Sequence, residues 1–500
     1  SGLLPHRSYC FAVEAVDNAG NASSIAGKQA EREFFFVNAV AVDDMNPSSP
    51  VLDGGQTYIT YGGAATITDV LVLDFDGDNN SDFILQSLGG LEVYLSTLRD
   101  SGGSYPISIA AAANGSGFFA YGAGVGDFDN DGFDDFAVGD SFASDGASGG
   151  AVYVYYGRDD SASGSPWWGV GAADADHPSV TADVIILGAA ASWTGLNISF
   201  VDVNDTAGDE LVFTSPFTAN RAVFGISGGD RSIFTQTKLE LVSAGAGAGE
   251  IAPSFTITGY AGDASGMLTF GENISAADLD GDGVNELVFA DSTIQHAPGD
   301  FPNAFGEVYV FNASGLTDSQ SLVSPTSLVT TIRRPINGGF GSRIAVLTQP
   351  RAGDSADWLA INTSSNTSVA LFKGTSTPTL DPAVTAGLIP LAYDVSGLAE
   401  MTYDVLDSNQ WDGSSGGSYF GTELAFVNLG SHFLVAAPGL EGSSPLFFYS
   451  YDSGTDTMVK KAVIPGTAAG YALKIKASTT DGIGNLLILN KSDYNSTAIK

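Results

Sequence analysis

The chain has 500 residues, of which 44% are hydrophobic and 63 are glycine. This composition excludes a disordered chain, and many glycines with only 19 lysines and arginines favour strands joined by tight turns over helices. The formal net charge of −38 argues against nucleic acid and anionic lipid as partners, because an acidic surface repels them. The single cysteine, Cys10, permits no internal disulfide, and no apolar run is long enough to predict membrane insertion.

The first residues, 3–24, read LLPHRSYCFAVEAVDNAGNASS. From Tyr9 onward, two sets of side chains alternate along the sequence as in a half-buried strand, and the sequence DNAGN indicates a turn. This stretch resembles the last third of a fibronectin type III domain. The resemblance implies that residues 1–27 are the C-terminal fragment of such a module in a longer parent protein. Residues 28–55, which contain the sequence NPSSP, are expected to form a linker.

One signature then recurs along the chain: an aromatic-glycine pair, a strand, an acidic loop and a second, apolar strand. The pairs are Tyr121-Gly122, Phe270-Gly271, Phe340-Gly341 and Phe420-Gly421, with weaker forms at Thr194-Gly195 and Ala469-Gly470. The apolar strands are predicted at seven places, namely 82–87, 135–140, 210–215, 286–291, 358–363, 433–438 and 486–491. Seven copies of one unit indicate a repeat architecture.

This repeat resembles the FG-GAP repeats of integrin α-subunit propellers over roughly residues 56–500. The resemblance implies an all-β fold, a seven-bladed β-propeller with FG-GAP-type blades. The physical argument agrees, because a unit of three or four strands cannot bury both of its faces alone, whereas radial stacking covers them. The last unit ends after about three strands. We therefore predict that the sequence QTYITY, residues 56–61, joins the last blade and closes the ring.

Three acidic loops carry carboxylates at positions 1, 3, 5 and 9. They are the first acidic loop (Asp74, Asp76, Asp78 and Asp82), the second (Asp127, Asp129, Asp131 and Asp135) and the third (Asp278, Asp280, Asp282 and Glu286). Four carboxylates in nine residues repel one another unless a cation binds, and Ca²⁺ takes six to eight oxygen ligands in flexible geometry. An EF-hand would need flanking helices and a glutamate at position 12. The sequence predicts about three structural calcium sites, and solvated acidic turns are the alternative.

The remaining units depart from this pattern. In residues 202–210, the degraded loop, Thr206 replaces the acid of position 5, which leaves Asp202, Asn204 and Glu210 as a possible weak metal site. The fifth unit reads QPRAGDSAD and has Arg351 where a ligand would be expected. The sixth and seventh units have lost the acids, so no site is expected in them.

In integrins these loops lie on the face opposite the ligand surface, so the resemblance implies a protein or glycan ligand on the opposite face. Loop aromatics bind sugar rings and partner proteins, and arginines bind acidic glycans. The alternatives are that the aromatics fill gaps between blades and that the arginines pair with nearby acids. The candidate ligand residues are Trp167, Trp168, His296, Phe301, Phe305, Arg333 and Arg334.

No catalytic constellation is evident. The chain has four histidines, and it contains no GxSxG elbow, no P-loop and no dinucleotide fingerprint. We therefore expect a calcium-stabilised binding or adhesion module of a secreted or cell-surface protein, since millimolar calcium outside cells fills weak sites. Two alternatives stay open. One is an extracellular polysaccharide lyase or hydrolase, because carboxylates are abundant. The other is a structural spacer in a surface fibre.

Overall fold

A computed structural model describes residues 32–38, 56–61, 67–77, 82–87, 90–95, 107–110, 122–143, 149–157, 182–190, 192–203, 207–216, 221–242, 245–259, 269–295, 305–312, 316, 319–322, 327–333, 340–350, 355–362, 368–374, 393–394, 403–407, 420–428, 432–438, 446–453, 457–464, 471–478 and 485–491. Within these ranges the chain forms β-strands and one 3₁₀ turn, η1 (Arg231–Ile233). The predicted all-β class is confirmed. No helix in these ranges has the length and apolar character needed to cross a membrane.

The strands follow one another along the whole described chain. The first eleven are β1 (Arg32–Asn38), β2 (Gln56–Tyr61), β3 (Ile67–Leu73), β4 (Asp82–Ser87), β5 (Gly90–Tyr94), β6 (Ile107–Ala110), β7 (Ala123–Gly126), β8 (Asp135–Asp140), β9 (Ala151–Tyr155), β10 (Val184–Leu187) and β11 (Ile198–Val201). The next eleven are β12 (Glu210–Ser215), β13 (Ala222–Ile226), β14 (Lys238–Leu241), β15 (Glu250–Ile251), β16 (Phe255–Thr258), β17 (Glu272–Ala277), β18 (Glu286–Gln295), β19 (Phe305–Phe311), β20 (Ser319–Ser321), β21 (Leu328–Arg333) and β22 (Ile344–Leu347). The last ten are β23 (Trp358–Asn362), β24 (Ser368–Lys373), β25 (Tyr393–Asp394), β26 (Tyr403–Asp407), β27 (Phe420–Asn428), β28 (His432–Pro438), β29 (Leu446–Asp452), β30 (Thr457–Ile464), β31 (Tyr471–Ser478) and β32 (Asn485–Lys491).

The described strands pair into seven sheets, numbered here by the order of their first strands. Their strand orders are β3-β4-β5-β6 (sheet 1), β7-β8-β9-β10-β14-β15 (sheet 2), β11-β12-β13-β16-β20 (sheet 3), β17-β18-β19-β21-β25 (sheet 4), β22-β23-β24-β26 (sheet 5), β27-β28-β29-β30 (sheet 6) and β31-β32-β1-β2 (sheet 7). The seven apolar strands predicted from the sequence are each the second strand of one sheet.

Three sheets also receive strands from the unit that follows them. In the third, fourth and fifth units, the connection between the third and fourth strands leaves its own sheet. It contributes β14 and β15 to sheet 2, β20 to sheet 3 and β25 to sheet 4, and each group pairs in parallel with the fourth strand of that sheet. These lent strands cover the outer edges of sheets 2 to 4, which would otherwise expose unpaired backbone groups.

Sheet 7 is built from both ends of the described chain. Strand β1 pairs antiparallel with β32, in a register that places Glu33 opposite Asn490, and β2 pairs with the other side of β1. The predicted strand 56–61 is therefore β2 and shares a sheet with the last strands of the chain. The predicted linker, 28–55, contains β1, a strand that the sequence analysis did not assign. The predicted module fragment 1–27 lies outside the described residues.

The first strands of successive sheets contact one another. Strand β3 contacts β7, and the contacts continue in chain order through β11, β17, β22 and β27 to β31. Strand β31 in turn contacts β3. Each first strand thus has a neighbour on both sides, and the last sheet adjoins the first.

The hydrophobic core lies between neighbouring sheets. In the buried strand β9, Tyr153 and Tyr155 pack in a cluster shared with sheet 1, whereas Val152 and Val154 pack in a cluster shared with sheet 3. Successive side chains of a strand point to opposite faces, so a fully buried strand divides its side chains between two interfaces. Burial of each such side chain contributes about 1.5–3 kcal/mol, so packing between sheets stabilises the fold.

The glycine of the aromatic-glycine pair is required by both conformation and space. Gly271, Gly341 and Gly421 have φ angles of +80°, +87° and +81°, which side-chain-bearing residues rarely adopt. A Cβ atom at Gly271 would lie 2.3 Å from Thr214 Cγ2 of the preceding sheet. The partner aromatic, Phe270, is 1% exposed and fills the space between sheets 3 and 4. The pair therefore sets the distance between neighbouring sheets.

We predict that Gly271→Ala lowers the free energy of unfolding by about 3 kcal/mol, through a left-handed backbone penalty of about 1–2 kcal/mol and overpacking against Thr214. Gly245→Ala is the matched control, because Gly245 has a φ of +71° but no neighbouring atom within 4 Å of the place that a Cβ would take. It should cost only about 1–2 kcal/mol. Denaturant-induced unfolding of the two variants measures the difference. Equal losses would contradict a role for close sheet approach.

Candidate metal centre

The three acidic loops connect the first and second strands of sheets 1, 2 and 4. In each loop, position 1 directly follows the first strand and position 9 is the first residue of the second strand, since the strands pair as Leu73↔Asp82, Gly126↔Asp135 and Ala277↔Glu286. The antiparallel pairing thus closes each loop over eight residues. The sheet fixes both ends of the loop and leaves its middle to side chains and turns.

Left-handed residues shape the middle of each loop. Position 4 has a positive φ in all three loops, at Gly77, Asn130 and Gly281. Position 6 has a positive φ at Gly132 and Gly283. Glycine and asparagine tolerate this region best. The loop glycines therefore permit the tight turns of these loops.

The second and third loops share one hydrogen-bond pattern. In both, the position-1 carboxylate, Asp127 or Asp278, accepts hydrogen bonds from the backbone N–H groups of positions 5 and 6, at 3.1 and 3.0 Å. In both, the position-5 carboxylate accepts from the N–H of position 7. Two sequences that differ at positions 2, 4, 7, 8 and 9 thus adopt the same loop conformation.

The position-9 acid ties its loop to the start of that loop. It accepts a hydrogen bond from the backbone N–H of position 2, at 2.9–3.0 Å, in the pairs Phe75–Asp82, Phe128–Asp135 and Leu279–Glu286. The other oxygen of Asp135 accepts from Gly157 N at 2.8 Å. The position-9 acid is therefore a structural anchor as well as a candidate ligand.

The loops bring carboxylates together in groups of three. Ligand atoms within 4.8 Å of one another are offered by Asp74, Asp76 and Asp82, by Asp127, Asp129 and Asp135, and by Asp278, Asp280 and Asp282. Each group could hold a metal ion. The second group omits the predicted ligand Asp131, the third omits Glu286, and Asp78 lies outside the described residues.

One oxygen in the second loop fits a bound cation. The side chain of Asp129 is 6% exposed, and its Oδ1 atom has no hydrogen-bond partner among the described residues. A buried carboxylate oxygen without a hydrogen-bond donor destabilises the folded state. Such an oxygen is a suitable ligand for a hard divalent cation. The donor set of the second loop consists of carboxylates, which suits the same class of ion.

Burial makes these carboxylates hold protons more tightly. Burial is the main cause that raises the pKa of Asp135 to about 8 and that of Glu286 to about 7. The negative charges of the neighbouring loop acids raise both pKa values further. A cation would relieve both effects, because it favours the charged form of each acid.

Consecutive loops are joined through position 8. The Asp134 carboxylate accepts a hydrogen bond from Asp74 N at 2.7 Å, and Asp134 N donates to Asp74 O at 3.0 Å. The same two-bond contact joins Asp209 to Asp127 and Asp357 to Asp278, and Asn285 Nδ2 donates to Asp202 O at 2.7 Å. Position 1 of each loop is thus held by the next unit. The sequence analysis missed this role, although aspartate or asparagine at position 8 recurs visibly.

The degraded loop keeps its closure but forms no group. Glu210 accepts a hydrogen bond from Val203 N at 3.0 Å, as in the intact loops. Asn204 lies outside the described residues. Within the part of the loop that the structure describes, Asp202 and Glu210 belong to no group of three acids. The possible weak site therefore stays a prediction.

The fifth loop is longer than its sequence alignment indicated. The pairing Leu347↔Trp358 encloses ten residues, against eight in the acidic loops, and Trp358 takes the place of the position-9 acid. Asp357 compensates, because one of its oxygens accepts from Gln349 N at 3.1 Å and the other from Asp278 N at 3.2 Å. Arg351 lies outside the described residues.

Most residues of the predicted ligand surface lie outside the described residues. Residues outside the described ranges include Trp167, Trp168, His296, Phe301 and Arg334. Phe305 begins β19 and Arg333 ends β21, and their backbones lie close together because Glu307 pairs with Arg333. Both residues are at the end of sheet 4 opposite the third acidic loop.

We predict that, without divalent cations, the thermal unfolding midpoint falls as the pH rises from 5 to 8. An acid whose pKa is raised on folding stabilises the protein below its unfolded pKa, about 4, and loses this contribution as the pH rises through its folded pKa. For Asp135 and Glu286 these folded values are about 8 and about 7. Added calcium should raise the midpoint more at pH 8 than at pH 5, because protons compete for the same oxygens. Equal calcium effects at both pH values would contradict this.

We predict that Asp209→Ala lowers the free energy of unfolding by about 1–3 kcal/mol, because Asp127 N loses its acceptor at 3.0 Å in the next unit. Asp209→Asn retains an oxygen acceptor of the same size and should cost much less. It also removes a carboxylate whose pKa burial raises to about 6. Denaturant titration compares the two variants. A similar loss in both would assign the effect to charge rather than to the bond between loops.

Comparison with known proteins identifies no family for this chain. No protein-family model matches the sequence. No curated protein matches it either. The case for its function therefore rests on the loops and sheets described above.

Proposed function

We propose that the chain is a calcium-stabilised, seven-bladed β-propeller that serves as a binding or adhesion module outside the cell. The observation that carries this proposal is the set of three acidic loops at the same position in different sheets, each with three convergent carboxylates. Calcium would bind these carboxylates and hold neighbouring units together. The ion is structural in this proposal, and it takes no part in a reaction.

The sheet contacts support the propeller. Seven sheets of four to six strands each place a first strand beside the next one, and β31 lies beside β3. Sheet 7, made from both ends of the described chain, would join the first and last units and so close a ring of repeats. The FG-GAP resemblance of the aromatic-glycine pairs agrees with this arrangement, since Gly271, Gly341 and Gly421 each lie against the preceding sheet.

Calcium is the favoured ion because of the donor set and the shape of the loops. Magnesium demands near-ideal octahedral geometry and keeps several of its waters, whereas calcium accepts more oxygens at variable angles. The second and third loops present carboxylates on short turns at which several backbone N–H groups already compete for the same oxygens. Such sites are filled at the millimolar calcium of the extracellular medium.

The opposite end of the sheets is the proposed ligand face. Two arginines at that end are paired with carboxylates: Arg221 Nη1 lies 3.1 Å from Asp291 Oδ2, and Arg343 Nη2 lies 3.1 Å from Glu423 Oε1. These pairs join neighbouring sheets, so they serve the scaffold. Binding would then fall to the connections between strands, such as the one between β18 and β19. A protein or glycan is the proposed ligand, and the strong negative charge disfavours nucleic acid.

We expect retention of the protein on a glycan or extracellular matrix protein without cleavage, and we expect calcium removal to weaken it. The chain is incubated with neutral and acidic polysaccharides and with matrix proteins, in calcium and after chelation, and both retention and polymer length are followed. If an acidic glycan is retained, Arg333→Gln with Arg334→Gln should weaken it. Lys460→Gln with Lys461→Gln removes the same charge from β30 and should not.

The other outcomes separate the alternatives. Shortened polymers would replace the adhesion proposal with a lyase or hydrolase. Absence of retention on every surface would instead favour a spacer in a larger assembly. If chelation leaves retention unchanged, ligand binding does not depend on calcium in the acidic loops.

A further inference from the structure

A cationic side chain from sheet 3 reaches the second acidic loop. Arg231 lies in η1, in the connection that leaves sheet 3 after β13. Its guanidinium contacts the carboxylates of Asp129 and Asp131, positions 3 and 5 of the loop. The guanidinium carbon also lies 4.3 Å from the centre of the Tyr156 ring, in cation–π contact. The charge of Arg231 is therefore directed at the loop rather than at solvent alone.

The connection that carries Arg231 is anchored on the same loop. Gly229 N donates to Phe128 O at 2.6 Å, and the ring of Phe234 lies 5.3 Å from the ring of Phe128, at position 2. Between these contacts, Asp230 caps η1 by accepting from Ser232 N at 2.7 Å. Arg231 is thus bracketed by two fixed points on the second loop.

The third acidic loop lacks this feature. Among the described residues, no lysine or arginine forms an ion pair with Asp278, Asp280 or Asp282. There the position-5 acid, Asp282, belongs to the group of convergent carboxylates. In the second loop the position-5 acid, Asp131, is left out of the group and contacts Arg231 instead. The two loops share one backbone hydrogen-bond pattern, and the arginine is a feature that distinguishes the second loop from the third.

We propose that Arg231 is a tethered counter-cation that competes with calcium for the second acidic loop. This inference rests on the proposed calcium binding. The guanidinium contacts Oδ2 of Asp129, and Oδ1 of the same carboxylate, which has no hydrogen-bond partner among the described residues, is the oxygen offered to the ion. Two positive charges would then share one carboxylate and repel each other, so each weakens the binding of the other. Without calcium, Arg231 neutralises part of the loop charge. With calcium, the repulsion favours movement of Arg231 away from Asp129, with the Tyr156 ring as its remaining neighbour.

The competition makes the second loop a weaker site than the third. It also couples calcium at this loop to the connection that leads into β14, a strand lent to sheet 2. The third loop would stay filled at calcium concentrations at which the second empties. The second loop would thereby respond to calcium while the third maintains the scaffold.

The test measures calcium binding to the full chain by calorimetry, with calcium alone as the probe. We expect Arg231→Gln to raise the affinity of one site about tenfold or more, because removal of one competing charge near 4 Å is worth at least ~1.4 kcal/mol. The other sites should not change. Adding Asp129→Asn to Arg231→Gln should abolish the improved site. Lys461→Gln is the charge-matched control, since Lys461 pairs with Asp452 at 3.6 Å in sheet 6.

A second measurement follows thermal unfolding. Arg231→Gln should lower the midpoint after chelation, where the loop acids lose their counter-charge, and should leave it unchanged or raised in calcium. An equal loss in both conditions, or unchanged calcium affinities, would overturn the inference and make Arg231 a packing residue. Absence of calcium binding in both the unmodified chain and the variant would instead refute the calcium proposal itself.

Discussion

The sheets whose side chains the structure describes have apolar side chains on both faces, so such a sheet is not stable until a neighbour covers each face. Tyr153 and Val152, adjacent in β9, are both fully buried yet belong to different inter-sheet clusters. This constraint explains the other regular features of the fold. Glycines such as Gly271 permit close approach of sheets, and the first strands lie side by side. In sheet 7, β1 and β2 from the start of the described chain pair beside β31 and β32 and bring the sheet to four strands.

The same arrangement creates an electrostatic problem at one end of the sheets. Regular stacking brings the acidic loops into contact, since Asp134 holds Asp74 and Asp209 holds Asp127 through hydrogen bonds between units. Backbone N–H groups offset part of the charge, but burial works in the opposite direction. The opposite end has a different solution, with arginine–carboxylate pairs such as Arg221–Asp291 between sheets. One end is therefore suited to cations, whereas the other is neutralised by the protein's own side chains.

Much of this could be predicted from the sequence, because burial and turn chemistry leave periodic patterns. The seven second strands and the left-handed loop glycines are examples of such patterns. Strand β20, with the sequence SQS, has no apolar pattern, because its role is to pair its backbone with β16. Arg231 is 100 residues from Asp131 in sequence, and only the lent-strand connection brings them together. The fifth loop has two residues more than the acidic loops, and its sequence does not reveal that Asp357 replaces the missing position-9 acceptor.

The construction of sheet 7 has a mechanical consequence. Because β1 and β32 are antiparallel, with Glu33 beside Asn490, the flanking chain leaves the sheet from the same end on both sides. A pulling force applied through these two flanks would load the hydrogen-bonded pairs one after another, as in opening a zipper, rather than all at once in shear. The seam would open at low force while the lent strands still hold sheets 2 to 4 to their neighbours. Tension would thus separate the ends of this chain before it disturbs the acidic loops of the middle sheets.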